Sequence, residues 1–388
     1  MFKIFVAALL SAFSVSSFAQ PSGHASSSTF TLGADISWYS EMADNGYSFA
    51  DGNTQMSCPE LVRAYGLQAV RLRVWVNPTN AYNACADVVK KARAAKAAGL
   101  DVLIDFHLSD TWADPGKQTI PSAWKDDSYD QLKAHLRAHI VEVLTALKAE
   151  GVEPRWVQVG NETNNGLLWG MGTASETPKQ YATLVAEGAS AVKSVCPDAA
   201  VIVHVSNGYD QGLFDWNIGI LHDNRVPFDI IGMSLYPGND ETTGETVAKT
   251  MDNIRHLRTA FGKPVMIVEV GLPVNSGDDG KSRMADILKR AATQTDGACV
   301  GVFYWEPEAP SGWNHYQLGA ATVTNKVVRF TAVMDAFREM SQTTDIAPLL
   351  RPTHCLRSPR AAYSLQGYPL AAPVKGLHVV DRHTVYSR

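Results

Sequence analysis

Trp156-Val157-Gln158-Val159-Gly160-Asn161-Glu162 is a short, mostly apolar run that stops at a glycine and then presents an amide and a carboxyl group. Val265-Met266-Ile267-Val268-Glu269 has the same form and also ends on a carboxylate. A continuous apolar run of four or five residues reads as a strand covered on both faces, the habit of parallel sheets. A carboxylate closing such a strand is costly unless it has a partner or a task.

Six more runs of this kind lie outward from these two, at 30–36, 69–75, 102–107, 200–205, 228–235 and 299–305. Between them apolar residues recur at helical spacing, as in 87–98 and 129–150, with Gly99 and Gly151 where helix C-caps belong. Eight strand–helix units in regular alternation predict an α/β fold, a (β/α)8 TIM barrel, over residues 30–340. Chemistry in such barrels gathers at the C-terminal ends of the strands. His107, Asn161, Glu162, Tyr236, Glu269 and Trp305 all close a strand run or follow it at once, and the N-terminal ends show no matching cluster.

With 45% hydrophobic and 19% charged residues the composition is that of a globular protein with ample core. A net charge of −5 and no basic stripe argue against a nucleic-acid partner. Residues 1–19 read as a secretory signal: Lys3, an apolar run through Leu10, then Ser17-Phe18-Ala19 before Gln20. That run is too short to span a bilayer, and no later segment is long enough, so no membrane partner is expected. Export to the periplasm or the exterior follows, with residues 20–29 as a polar leader. From about Ser341 the helical pattern stops; 341–388 reads as an irregular tail with a weak hairpin over 376–386. Of the five cysteines, Cys58 and Cys85 each precede a helical pattern and are expected to bridge, whereas Cys299 opens a strand as a buried thiol. No CxxC pair suggests a zinc site. A single-chain monomer is the default.

Alternation in Val70-Arg71-Leu72-Arg73-Val74-Trp75 turns the arginines and Trp75 into the lumen, where an arginine needs carboxylate company. Either Arg73, nearer the strand end, holds a catalytic glutamate ionised, or both arginines join a structural network with Asp35 or Asp105. On the third strand Asp105 and His107 share a face, followed by Ser109-Asp110-Thr111-Trp112; His107, Asp110 and Trp112 are read as substrate contacts. A metal role for His107 is disfavoured, because strand one supplies no histidine pair. Glu162 has the setting of a glycosidase acid, with Asn161 beside it to hold a sugar 2-hydroxyl. A helix N-cap pair would suit Asn161 or Thr163, but it leaves the strand-end position unexplained. Glu269 is then the nucleophile, with Tyr236 as a hydrogen-bond donor and Trp305 as the floor on which a sugar rests.

These residues resemble those of the endo-β-1,4-galactanases of glycoside hydrolase family 53. The resemblance rests on Val70-Arg71-Leu72-Arg73-Val74-Trp75-Val76-Asn77-Pro78 and on the long run from Asp105-Phe106-His107 to Gly116-Lys117-Gln118. Gln158-Val159-Gly160-Asn161-Glu162 and Phe303-Tyr304-Trp305-Glu306-Pro307 are similar to the family's equivalents too. It implies endo-hydrolysis of β-1,4-galactan in type I arabinogalactan with retained configuration, Glu162 as acid/base, Glu269 as nucleophile and no cofactor. Arg73, His107, Asn161, Tyr236 and Trp305 fall at positions the family associates with its site. Two stretches depart from the family: Thr163-Asn164-Asn165-Gly166 stands for the commoner Ile-Thr-Asn-Gly, and Val270-Gly271-Leu272-Pro273 for Thr-Ala-Tyr-Pro. Some relatives carry calcium in a late βα loop; Asn275-Ser276-Gly277-Asp278-Asp279 offers oxygen ligands but equally makes a solvated turn, and no metal is assigned. A mannan-, xylan- or β-glucan-cleaving enzyme of the same clan, and a non-catalytic glycan-binding barrel, are the competing readings.

Overall fold

The computed structural model describes residues 30–238, 243–273 and 277–343, together with four short strands between 362 and 387. The expected signal and leader at 1–29 lie outside the described residues, as do residues 274–276, which include Asn275 and Ser276 of the oxygen-rich turn. Eight strands close a parallel barrel: Thr31–Asp35 (β1), then, after a small hairpin of Ser48–Asp51 (β2) and Thr54–Met56 (β3), Ala69–Val74 (β4), Asp101–Phe106 (β5), Trp156–Val159 (β6), Ala200–Val205 (β7), Ile230–Leu235 (β8), Val265–Val270 (β9) and Cys299–Trp305 (β10). They match the eight apolar runs one for one, and the (β/α)8 barrel is the fold.

Helices Tyr39–Asp44 (α1), Cys58–Ala64 (α2), Cys85–Ala97 (α3), Tyr129–Ala149 (α4), Pro178–Val195 (α5), Gln211–Asp223 (α6), Thr243–Phe261 (α7) and Gly277–Thr293 (α8) lie in the connections. Local chemistry sets their ends. Ser57 and Ser128 begin α2 and α4 with reciprocal capping boxes to Glu60 and Gln131. Gly99 and Gly151 follow α3 and α4 at φ of 78° and 71°, a left-handed turn that glycine takes without strain.

The barrel seam joins the ends of the domain. β1 pairs with β10 in register, Gly33 opposite Phe303 and Asp35 opposite Trp305. Gly33 is glycine because a Cβ there would fall 2.3 Å from the Phe303 ring. A second sheet, outside the barrel, was not foreseen: Ala321–Thr324 (β11) and Val327–Phe330 (β12) join β2 and β3 before Ala332–Gln342 (α9). Farther along, Gly376–Val380 pairs antiparallel with His383–Ser387, and Ala362–Tyr363 and Pro369–Leu370 add two short strands to that sheet.

The lumen is divided by chemistry. Ala69, Leu103, Trp156, Ile202, Ile230, Met266, Val300 and Phe303 fill one part as a dry plug. Farther along the same strands the inward positions turn polar, with Arg71, Arg73, Asp105, Gln158 and His204 all fully buried. The plug fixes the strands that position the polar part.

The expected Cys58–Cys85 bridge is absent, and both thiols are free. The two face different surroundings: Cys58 is buried near Glu306 and Glu308, while half-buried Cys85 looks toward Glu142 on α4. Cys299 is a buried thiol whose Sγ lies 3.5 Å from the Gly301 carbonyl.

Candidate active site

Arg71 is the hub of the polar lumen. Its guanidinium reaches Asp35 at 2.8 Å, Asp105 at 2.9 Å and Glu269 at 3.0 Å, and it donates to Asn161 Oδ1 at 2.8 Å. Three carboxylates around one buried cation satisfy it and leave negative charge in excess. Gln158 links the next layer, donating to Asp105 at 2.6 Å and lying 3.0 Å from His204 Nδ1.

The two glutamates hang on one strand. Ser234 Oγ donates to Glu162 Oε1 at 2.7 Å, and the Tyr236 hydroxyl donates to Glu269 Oε2 at 2.8 Å. Ser234 and Tyr236 are two residues apart at the end of β8 and so project to the same side, about 7 Å apart along the chain. Both carboxyl groups therefore face one space. Burial pushes both above the ordinary carboxylate range, and the charge of Glu162 raises Glu269 further. Such a pair titrates as a unit and holds a proton between them near neutrality. Arg71 and the Tyr236 hydroxyl favour the charged form of Glu269, and the Ser234 hydroxyl and Arg71 that of Glu162. Glu162 has a φ of 44°, a left-handed backbone that a glutamate adopts only when its surroundings impose it.

His204 supports this arrangement from below. Burial, then the charge of Arg71, hold it well below the ordinary histidine range, so it is neutral. The Glu162 backbone N–H donates to its Nδ1 at 3.3 Å, which leaves Nε2–H to donate to Ser234 Oγ at 2.9 Å. Asn161 is fixed on both sides: its amide donates to the Ala113 carbonyl at 2.8 Å while its oxygen takes the Arg71 bond.

A cleft of about 420 Å³ opens over the pair, lined by both glutamates with Asn161, His107, Tyr236, Trp38, Trp112, Trp305, Tyr316 and the Asn314–His315 turn. The Trp38 and Trp305 rings stand edge to face at 5.3 Å, and Trp112 and Trp305 are tilted at 5.9 Å. His107 props this wall: its Nε2 lies 3.0 Å from Asp105, and its Nδ1 accepts from the Ala113 N–H at 3.1 Å.

Two of the sequence assignments change. Arg73 does not reach Glu269. It pairs with Glu306 and sits under the aromatic wall, 4.4 Å from the Trp112 ring and 5.1 Å from that of Trp38. Arg71 lies level with Asp35 in the ladder, low enough to meet the carboxylates that cross the lumen, and Arg73 lies one inward position higher. Asp110 does not line the cleft. It accepts from the backbone N–H of Asn77 at 3.1 Å and from the backbone and hydroxyl of Ser122 at 2.9 and 2.7 Å. These three donors tie two βα loops together through its carboxylate.

Sequence reading missed Ser234, His204, Trp38 and Tyr316. Ser234 was recoverable, since it precedes Tyr236 by two on the same strand face, and Trp38 follows the end of β1. Tyr316 arrives from a loop with no such mark. Among the described residues no group of three or more His, Cys, Asp or Glu is arranged to hold a metal ion, and no helix is long and apolar enough to cross a membrane.

Comparison with known proteins agrees with this geometry. The family model of glycosyl hydrolase family 53 matches residues 31–297. An arabinogalactan endo-beta-1,4-galactanase of Thermothelomyces thermophilus is 32% identical over 309 residues, which is 74% of this chain and 90% of the relative. A probable arabinogalactan endo-beta-1,4-galactanase A of Aspergillus fumigatus is 32% identical over 339 residues, covering 78% of this chain and 90% of the relative. Among solved structures, a fungal beta-1,4-galactanase superposes with a TM-score of 0.72 at 27% identity, over 80% of this chain and 99% of the other. The catalytic domain of an Ignisphaera aggregans family 53 protein does so with 0.72 at 25%, over 80% and 96%. With a closed (β/α)8 barrel and paired carboxyl groups at its strand ends, the chain belongs to glycosyl hydrolase family 53.

Proposed function

We propose that this glycoside hydrolase is an exported endo-β-1,4-galactanase that cuts the galactan of type I arabinogalactan with retention of anomeric configuration. The observation that carries the reading is the pair of strand-end glutamates held by Ser234 and Tyr236 over one cleft, with Glu269 also paired to Arg71. The named activities of the relatives supply the substrate class.

In the first step Glu269 attacks the anomeric carbon while Glu162 gives its proton to the leaving oxygen. The Tyr236 hydroxyl and Arg71 hold the attacking carboxylate in position. When the glycosyl–enzyme bond forms, Glu269 loses its charge and Glu162 bears one. Glu162 then takes a proton from water, whose oxygen attacks the anomeric carbon and frees Glu269. Asn161, anchored by Arg71 and Ala113, offers its amide edge to the 2-hydroxyl of the reacting sugar, and Trp305 with Trp112 forms its apolar wall. Nothing in these steps calls on a cofactor. Residues 1–19 supply the export signal, and a polysaccharide outside the cytoplasm fits that destination.

The test is product analysis on β-1,4-galactan beside mannan, xylan and β-glucan, with the first-formed anomer read by proton NMR. Short galacto-oligosaccharides released from galactan alone, first in the β form, are the expected result. Cleavage of another glycan moves the substrate and keeps the pair. An α product first removes the double displacement.

A further inference from the structure

Two residues past the nucleophile, Gly271 stands where β9 has ended, and its φ lies outside the left-handed region, so backbone freedom does not explain it. Space does. A Cβ at Gly271 would lie 2.7 Å from the Tyr316 hydroxyl, 3.1 Å from Tyr236 Cε1 and 3.2 Å from Leu318 Cβ. The first distance is shorter than side chains tolerate. None of the three neighbours has an easy way out. Tyr236 is committed to Glu269 through its hydroxyl. Leu318 is fixed by its carbonyl, which accepts from the Tyr304 hydroxyl at 2.7 Å, and the same hydroxyl accepts from the Leu272 N–H at 3.1 Å. Tyr316 donates to the Trp305 carbonyl at 3.1 Å, and its ring packs at 4.6 Å on Trp305 and 5.8 Å on Trp38.

We propose that Gly271 is a positioning residue for substrate: the space it leaves seats the Tyr316 hydroxyl, and so decides how far the Tyr316 ring stands from Glu269 across the cleft. Tyr316 is then a specificity-determining wall of the subsite in which the sugar attacked by Glu269 rests. This inference rests on the galactanase reading for its substrate. A methyl group at Gly271 drives Tyr316 outward into the cleft, narrowing it and unseating Trp305.

The test is a double-mutant cycle between Gly271→Ala and Tyr316→Phe, because Phe removes the one atom that the new methyl meets most closely. It is read as kcat and KM on β-1,4-galactan and as the thermal unfolding midpoint of the full chain. In the native background Gly271→Ala is expected to lower kcat/KM about tenfold or more, chiefly through KM. It also lowers the midpoint by at least about 2 °C. In the Tyr316→Phe background the same substitution changes kcat/KM by less than about threefold and the midpoint by half as much or less, whatever Tyr316→Phe costs alone. Equal losses in both backgrounds overturn the proposal, as does a Gly271→Ala variant that matches the native protein in KM and midpoint. A native protein without activity on galactan overturns the functional reading instead, and the midpoint cycle, which needs no substrate, still decides the coupling.

Discussion

Arg71 and Glu269 meet at 3.0 Å across the lumen although β4 and β9 lie three strands apart around the barrel. One guanidinium thereby joins the proposed nucleophile to Asp35 and Asp105, so the group that holds the lumen together also touches the cleft.

Arg71→Met strands buried carboxylates without a counter-charge. Breaking a buried pair from one side costs about 3–5 kcal/mol. Urea unfolding is expected to show a loss of that order with an unchanged slope. A loss below about 1 kcal/mol contradicts the hub.

Glu162→Gln keeps the size of the side chain and removes the proposed proton donor. On galactan, kcat should fall by about 10²–10⁴-fold. On a nitrophenyl galactobioside, whose leaving group needs no proton, the first step should be much less affected. Full activity on galactan in this variant removes Glu162 as the acid.

Ser234→Ala takes away the hydroxyl that stabilises the charged form of Glu162. Losing that donor raises the Glu162 pKa beyond its already elevated position. The protonated acid then persists to higher pH, and the alkaline limb of kcat/KM moves up. A limb that stays put, or moves down, contradicts the hydrogen bond.

His139 gives the acid side of the stability curve. Burial against Phe106 and Trp124 lowers its pKa to about 4, and Nε2 has no hydrogen-bond partner among the described residues. Between that value and the ordinary 6.5 the unfolded chain binds the proton and the folded one does not, so stability falls as the pH drops through this window. The loss from this group is about 3 kcal/mol by pH 4. His139→Phe should flatten the slope between pH 6.5 and 4 in unfolding measurements; an unchanged slope assigns the acid sensitivity elsewhere.

The barrel was legible because its eight strands are buried on both faces and their apolar runs have no rival reading at that length. The alternation around Arg71 and Arg73 likewise revealed the polar lumen. What it could not reveal was depth: both arginines point inward, and one step along the strand decides which meets Glu269 and which lies under tryptophan. Asp110 misled because a carboxylate near a strand end looks the same whether it faces the cleft or staples a loop. β2 and β3 left no trace, since Thr54-Gln55-Met56 is too short and too open to water to carry an apolar alternation.

Pairing of Asp35 with Trp305 has a bearing on how the molecule comes into being. During synthesis the chain up to residue 298 holds both glutamates, yet its first strand has no neighbour on one side. A seven-stranded open sheet exposes two long edges, each a template for the wrong strand. Only β10, the last barrel strand to be made, covers both at once and brings the Trp305 wall to the cleft. Contacts spanning some 270 residues close late, so catalytic competence and protection from aggregation arrive in one event.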